Sequence, residues 1–220
     1  MFKNNNKYCS IMYFDIGANV GRWSQENIGL CDKIIALEPD PNTFKKLQAN
    51  TQTSNKPITC LNYAACNSES DEISFYRCEF DTISTLNVEW LADEKSRFFG
   101  KEGKNYEKIT CKAISIDKLI SLFGVPQMIK VDVEGGEFEC ISSLSQKVDL
   151  LCFEWASELK DIAFLCLGYL RSLGFTKFHI QWDDQYLYRP LDAEFTDLDT
   201  VRKALNNTVP KEHWGMIWCK

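Results

Sequence analysis

Short apolar runs alternate with stretches in which apolar residues recur every three or four positions. Ile11–Ile16, Lys33–Leu37 and Ile58–Ala64 read as strands, as do Gln127–Val133, Val148–Phe153, Lys177–Gln181 and Trp214–Cys219. Between them, Arg22–Ile28, Asp40–Asn50, Ser115–Phe123, Glu137–Leu144, Glu158–Leu173 and Asp197–Leu205 read as helices. Asp40 followed by Pro41 is an N-cap with proline at the first helical position, and Phe44 and Leu47 supply the apolar stripe. In the longest helix the stripe is Ile162, Leu165, Tyr169 and Leu173, and Gly174 ends it. Glu72–Tyr76 and Lys108–Ile114 suggest an extra strand pair, separated by a long polar excursion from Cys78 to Glu107. Strands that are apolar on both faces, alternating with helices, predict an α/β protein with a doubly wound, mostly parallel sheet covered on both sides. No repeat or linker interrupts the pattern, so one domain over 1–220 is expected.

Composition narrows the function. The 31 acidic and 25 basic residues give a net charge of −6, which argues against a general nucleic-acid binder. Ten cysteines without a CxxC pair, beside only two histidines, argue against a zinc module. Several fall in apolar runs, and the set is expected to be reduced and mostly buried. The polar N-terminus lacks a signal-peptide pattern, and no apolar run reaches the length of a membrane span. These features make a cytoplasmic location the expectation.

The first strand leads into Asp15-Ile16-Gly17-Ala18-Asn19-Val20-Gly21, a D-x-G-x-N-x-G turn before a helix. It is neither a Walker A loop nor the G-x-G-x-x-G turn of nicotinamide enzymes. Gly17 and Gly21 would let the backbone approach a ligand closely, and Asn19 suits a left-handed turn. An aspartate at this place would repel a pyrophosphate but suit a ligand carrying an ammonium and a sulfonium. Glu38 ends the second strand, twenty-one residues after Gly17, where related sheets place a carboxylate for ribose hydroxyls. Lys130-Val131-Asp132-Val133-Glu134-Gly135 runs off the fourth core strand, and two-residue spacing sets Asp132 and Glu134 on one face. Three carboxylates are thus expected to meet at the carboxyl edge of the sheet, where such folds bind ligands.

Phe14–Gly21, Ile35–Pro39, Asn62–Ala65, Ser84–Leu86, Ile114–Leu119 and Ile129–Glu137 together resemble the FkbM family of class I methyltransferases dependent on S-adenosylmethionine. The likeness runs in the family's order from Phe14 to Glu154, and Lys130–Gly135 is its most diagnostic part. It implies a Rossmann-like sheet of order 3-2-1-4-5-7-6 with the last strand antiparallel, and methyl transfer to a hydroxyl oxygen, often of a sugar. Among such enzymes it looks most like those that decorate deoxyhexoses such as rhamnose or fucose in surface or viral glycans. Two departures stand out. Only about ten residues precede the first strand, so the capping helices of many class I sites are expected to be missing. Glu154 is followed by Trp155 and Ala156, so the histidine that family members often carry there cannot serve as base.

On this reading Asp15, Gly17, Asn19 and Gly21 hold the methionine end of S-adenosylmethionine, Glu38 and Pro39 the ribose, and Ala64 and Ala65 border the adenine, with Asp132 also beside the cofactor. A hydroxyl is a weak acid and needs a base or a metal ion. Asp132, Glu134 and Glu154 are the catalytic candidates. Asp132 and Glu154 could hold Mg²⁺ or Mn²⁺, or Asp132 or Glu134 could act directly as base. His179 and His213 are runners-up. Trp90, Phe98 and Phe99 in the excursion, and Trp155, Trp182, Asp183, Asp184, Tyr186 and Tyr188 after later strands, could face a sugar. The expected acceptor is a small molecule or oligosaccharide, handled by a monomer or homodimer without nucleic acid. The alternatives are a non-sugar natural-product alcohol as acceptor, or a non-catalytic module that binds cofactor or glycan.

Overall fold

A computed structural model describes residues 10–78, 84–88, 94, 106–183 and 185–220. The elements are β1 (Met12–Ile16), α1 (Arg22–Asn27), β2 (Lys33–Leu37), α2 (Pro41–Thr51), β3 (Ile58–Leu61), β4 (Ala64–Ala65), β5 (Glu72–Cys78) and β6 (Tyr106–Ile114). There follow α3 (Ile116–Phe123), β7 (Met128–Val131), α4 (Glu137–Ile141), β8 (Leu150–Ala156), α5 (Lys160–Ser172), β9 (Phe178–Trp182), α6 (Leu198–Asn206) and β10 (Trp214–Cys219). Seven strands form one sheet in the order β3-β2-β1-β7-β8-β10-β9. All its pairs are parallel except those of β10, which runs antiparallel to β8 and β9. This is the α/β architecture expected from the alternation.

Both faces of the sheet are buried. Phe14, Ile16, Leu37, Ile129, Val131 and Phe153 pack on one side, and Ile34, Ala36, Met128, Cys152 and Trp218 on the other. That two-sided burial is why the strands read as continuous apolar runs. Asp40 caps its helix as expected, its Oδ1 accepting from Asn42 N at 3.2 Å, and Asp197 caps the last helix in the same way, its Oδ1 accepting from Thr200 N at 2.8 Å.

The third strand differs from its reading. It stops at Leu61, and Ala64–Ala65 joins a second sheet of order β4-β6-β5. Asn62 Nδ2 donates to the carbonyls of Glu38 and Pro39 at 2.8 and 2.9 Å, which turns the chain between the two sheets. An apolar run shows that a segment is buried but not which neighbour it pairs with. The extra strand pair is present, with β5 and β6 antiparallel. Arg77 on β5 ties that sheet to α2 through Asp40 Oδ1, at 2.8 and 2.6 Å.

Nine described cysteines are free thiols, eight of them buried and Cys60 half-buried. Burial pushes the Cys152 thiol up to about 12, so it is no nucleophile at neutral pH. Among the described residues, no helix is long and apolar enough to cross a membrane.

Candidate active site

A cleft of about 530 Å³ opens at the carboxyl ends of β2, β1, β7 and β8, well within the usual range for ligand sites, about 300–1,000 Å³. Its walls include Gly17, Asn19, Glu38, Pro39, Ala64 and Ala65, together with Asp132, Glu134 and Glu154. The structure therefore brings together residues drawn from five separate stretches of chain.

The turn after β1 forms one wall. Gly17 N and Ala18 N donate to Leu37 O at 3.1 and 2.8 Å, locking the turn to the end of β2. Gly17 has φ +74°, and Asn19 takes the expected left-handed conformation at φ 48°. Asn19 Oδ1 accepts from Val20 N at 2.6 Å. Asp15 and Gly21 do not reach the wall. Asp15 is fully buried; its Oδ2 accepts from Ser24 Oγ at 2.6 Å, and its Oδ1 lies 3.3 Å from Lys130 Nζ. Gly21 serves packing instead, because a Cβ there would sit 2.6 Å from Leu47 Cδ1. The motif's spacing could not separate a glycine that lines the cleft from one that meets a helix.

Lys130 organises the floor. It is buried, and its Nζ donates to Gly17 O at 3.0 Å and pairs with Asp132 Oδ2 at 3.1 Å as well as with Asp15. Burial opposes its charge, but Asp132 and Asp15 outweigh that and raise its pKa above the ordinary lysine value. One ammonium thus links the first-strand turn to the carboxylate that follows β7.

Asp132, Glu134 and Glu154 each offer an oxygen within 4.8 Å of the others. Strand alternation is not what unites the first two. β7 ends at Val131, and Glu134 sits in a turn with φ 54°. Glu137 stabilises that turn by accepting from Val133 N and Gly135 N, both at 3.2 Å. Thr85 Oγ1 donates to Glu134 O, and Asn87 Nδ2 to Gly135 O at 3.3 Å, so the end of the polar excursion braces the same turn. Ser84 and Leu86 consequently line the cleft.

Glu38 is buried, and its two oxygens accept from Asn19 N at 3.0 Å and Asp40 N at 2.8 Å. Burial pushes its pKa up from 4.5 to about 8, against the opposing effect of the Asp40 N–H. At neutral pH the folded protein therefore holds a proton on Glu38 where the unfolded chain has lost it. The associated stability is complete below about 4.5 and is lost as pH rises through about 8. We expect Glu38→Gln to gain on the wild type by about 2–4 kcal/mol between pH 5 and pH 9. Urea midpoints at the two pH values measure it, and equal slopes for both proteins would refute it.

The aromatic expectations fare unevenly. Tyr186 lines the cleft; Trp155 is buried in the core, and Trp182 packs edge-on against it at 5.4 Å. Tyr188 stacks on His179 and shares a 2.6 Å hydrogen bond with its Nε2, so both are engaged in holding the 185–195 segment. His213 pairs with Val209 rather than with the cleft. Trp90, Phe98, Phe99 and Asp184 lie outside the described residues. Tyr63, from the Asn62–Ala65 segment, is a wall residue, as are Arg22, Trp23 and Phe75, which carried no motif signal.

The model of the Methyltransferase FkbM domain matches residues 15–177, well over half of the chain. A hexuronic acid methyltransferase of Haloferax volcanii, AglP, is 28% identical over 145 residues, covering 64% of this chain and 52% of that protein. The chain thus spans about half the length of that curated relative. In fold it is similar to a precorrin-6y C5,15-methyltransferase from Geobacter metallireducens GS-15, with a TM-score of 0.51 and 11% identity, covering 96% of this chain and 80% of that one.

Proposed function

Since the chain belongs to the FkbM methyltransferase family, whose members take their methyl group from S-adenosylmethionine, we propose that it is an O-methyltransferase acting on a sugar hydroxyl. The observation that carries this reading is one cleft in which the Gly17–Asn19 turn and Glu38 adjoin three clustered carboxylates. The turn offers close backbone approach for the methionine end, Glu38 suits the ribose hydroxyls, and Ala64 and Ala65 leave room for the flat adenine. The hexuronic acid methyltransferase among its relatives supports a sugar acceptor.

In the reaction the acceptor oxygen attacks the sulfonium methyl carbon. The methyl–sulfur bond breaks, its electrons stay on sulfur, and the hydroxyl proton must leave. The clustered carboxylates Asp132, Glu134 and Glu154 stand ready to take it. Holding the oxygen in line behind the methyl supplies several kcal/mol, about 7–11 in favourable intramolecular cases. The base adds about 10²–10⁴-fold.

The same cluster favours a second version. Three carboxylate oxygens within 4.8 Å are a suitable hard-cation donor set, and Asp132, Glu134 and Glu154 could hold Mg²⁺ or Mn²⁺. Such an ion would polarise the acceptor hydroxyl and offset repulsion between an acidic sugar and the acidic wall.

Methyl transfer assayed on rhamnosides, fucosides and glucuronides, with and without EDTA, tests both versions. Turnover of a sugar is expected, with Glu134→Gln or Glu154→Gln lowering kcat about 10²–10⁴-fold at unchanged S-adenosylhomocysteine affinity. Full activity after thorough chelation removes the metal version. Binding of a nicotinamide nucleotide in place of S-adenosylhomocysteine would overturn the reading as a whole.

A further inference from the structure

The amino-acid end of S-adenosylmethionine carries an ammonium and a carboxylate, and only the first finds an obvious partner in this cleft. The wall is acidic, with Glu38, Asp132, Glu134 and Glu154. Lys130 is enclosed, with its ammonium committed to Asp15, Asp132 and Gly17 O. Among the described wall residues, the other cationic side chain is Arg22.

Arg22 opens α1 directly after the left-handed Gly21, on the same turn that carries Gly17 and Asn19. Its guanidinium carbon lies 5.2 Å from the centre of the Tyr186 ring. Tyr186 comes from the segment after β9, yet its position is fixed against α1. Asn27 Nδ2 donates to Tyr186 O at 3.1 Å, and Asn27 Oδ1 accepts from Arg189. Arg189 in turn lies over the rings of Trp23 and Trp218, at 5.7 and 5.3 Å. A guanidinium resting on a ring spends its face on the stack and keeps its in-plane N–H groups for a carboxylate, which it can bind in a bidentate manner. Its other contact is Nε to Glu26 Oε1 at 3.2 Å, an i,i+4 pair on a side chain 72% exposed. Such pairs are weak enough to yield to a better anion.

We infer that Arg22, carried on the Tyr186 ring, binds the α-carboxylate of S-adenosylmethionine. The inference rests on reading the cleft as the cofactor site. It makes Arg22 a binding residue, set at the opposite functional end of the cofactor from Glu38, and gives the 185–195 segment the task of orienting it.

Calorimetric titration with S-adenosylhomocysteine and with its decarboxylated analogue tests this in the wild type, Arg22→Met, Arg22→Lys and Tyr186→Ala. Arg22→Met is expected to weaken S-adenosylhomocysteine about 10–100-fold and to leave the decarboxylated analogue unchanged. Arg22→Lys should recover part of the loss, and Tyr186→Ala should show a smaller loss of the same selective kind. An equal loss for both ligands, or none for either, overturns the inference. An unchanged cofactor affinity with a raised KM for a glucuronide would move Arg22 to the acceptor and also overturn it. Failure of the wild type to bind either ligand would instead show that the cofactor reading itself is wrong.

Discussion

Lys130→Met will destabilise the protein by about 3–5 kcal/mol at neutral pH, the usual cost of breaking a buried ion pair from one side. The side chain is only 5% exposed, and its ammonium is the counter-charge to both Asp15, which is fully buried, and Asp132. Methionine fills a similar volume but leaves two carboxylates facing each other without a cation. It also leaves Gly17 O without its 3.0 Å donor, so the ligand turn should loosen along with the fold. Asp15→Asn added to Lys130→Met should recover part of the deficit, since the two positions share one interaction. Urea midpoints for the single and double variants at pH 7 decide it. A cost below about 1 kcal/mol would mean that Lys130 is not what holds the floor of the cleft together.

The second large effect belongs to Gly17→Ala. A Cβ at this position would stand 1.7 Å from the backbone oxygen of Asp132 and 2.8 Å from its carbonyl carbon, and the residue has φ +74°. Left-handed strain alone costs about 1–3 kcal/mol. The clash adds to it, because the obstacle is main chain anchored by the Asp132 N to Ile16 O bond at 3.0 Å. We expect a loss of about 3 kcal/mol or more, with S-adenosylhomocysteine binding abolished, as the turn and the carboxylate loop are forced apart. Gly29→Ala is the matched control, with nothing within 4 Å of the added carbon. Thermal melts and ligand titration of the two variants should separate sharply. Retained binding in Gly17→Ala would show that the turn can shift without consequence.

Elements whose ends carry a physical marker were legible. Asp40 and Ser115 cap their helices with side-chain bonds, and Asp32 and Glu38 bound β2 while His213 and Lys220 bound β10, so their limits could be read. Where the marker is tertiary, the reading slipped. Nothing in Ile58–Ala64 as a string discloses that Asn62 bonds across to Glu38 and Pro39 and hands Ala64–Ala65 to another sheet. The site shows the same division. Gly17, Asn19, Glu38 and the three carboxylates could be picked out because each lies at or near the carboxyl end of a core strand, where a parallel sheet faces its cleft. Arg22, Trp23 and Phe75 have no such address, and their side chains reach the cleft only through the packing of α1 and the second sheet.

By itself the sequence determined the order of strands and helices, the two-faced burial of the sheet and the edge at which acidic residues gather. These follow from periodicity and from chain direction, which are local or nearly so. Tertiary structure alone decided that Asp15 pairs with Lys130 beneath the cleft, that Glu134 joins Asp132 through a turn braced by Glu137 and Thr85, and that Arg22 meets Tyr186. Each of these depends on which side chain fills the space left by residues distant along the chain, and no local pattern encodes that.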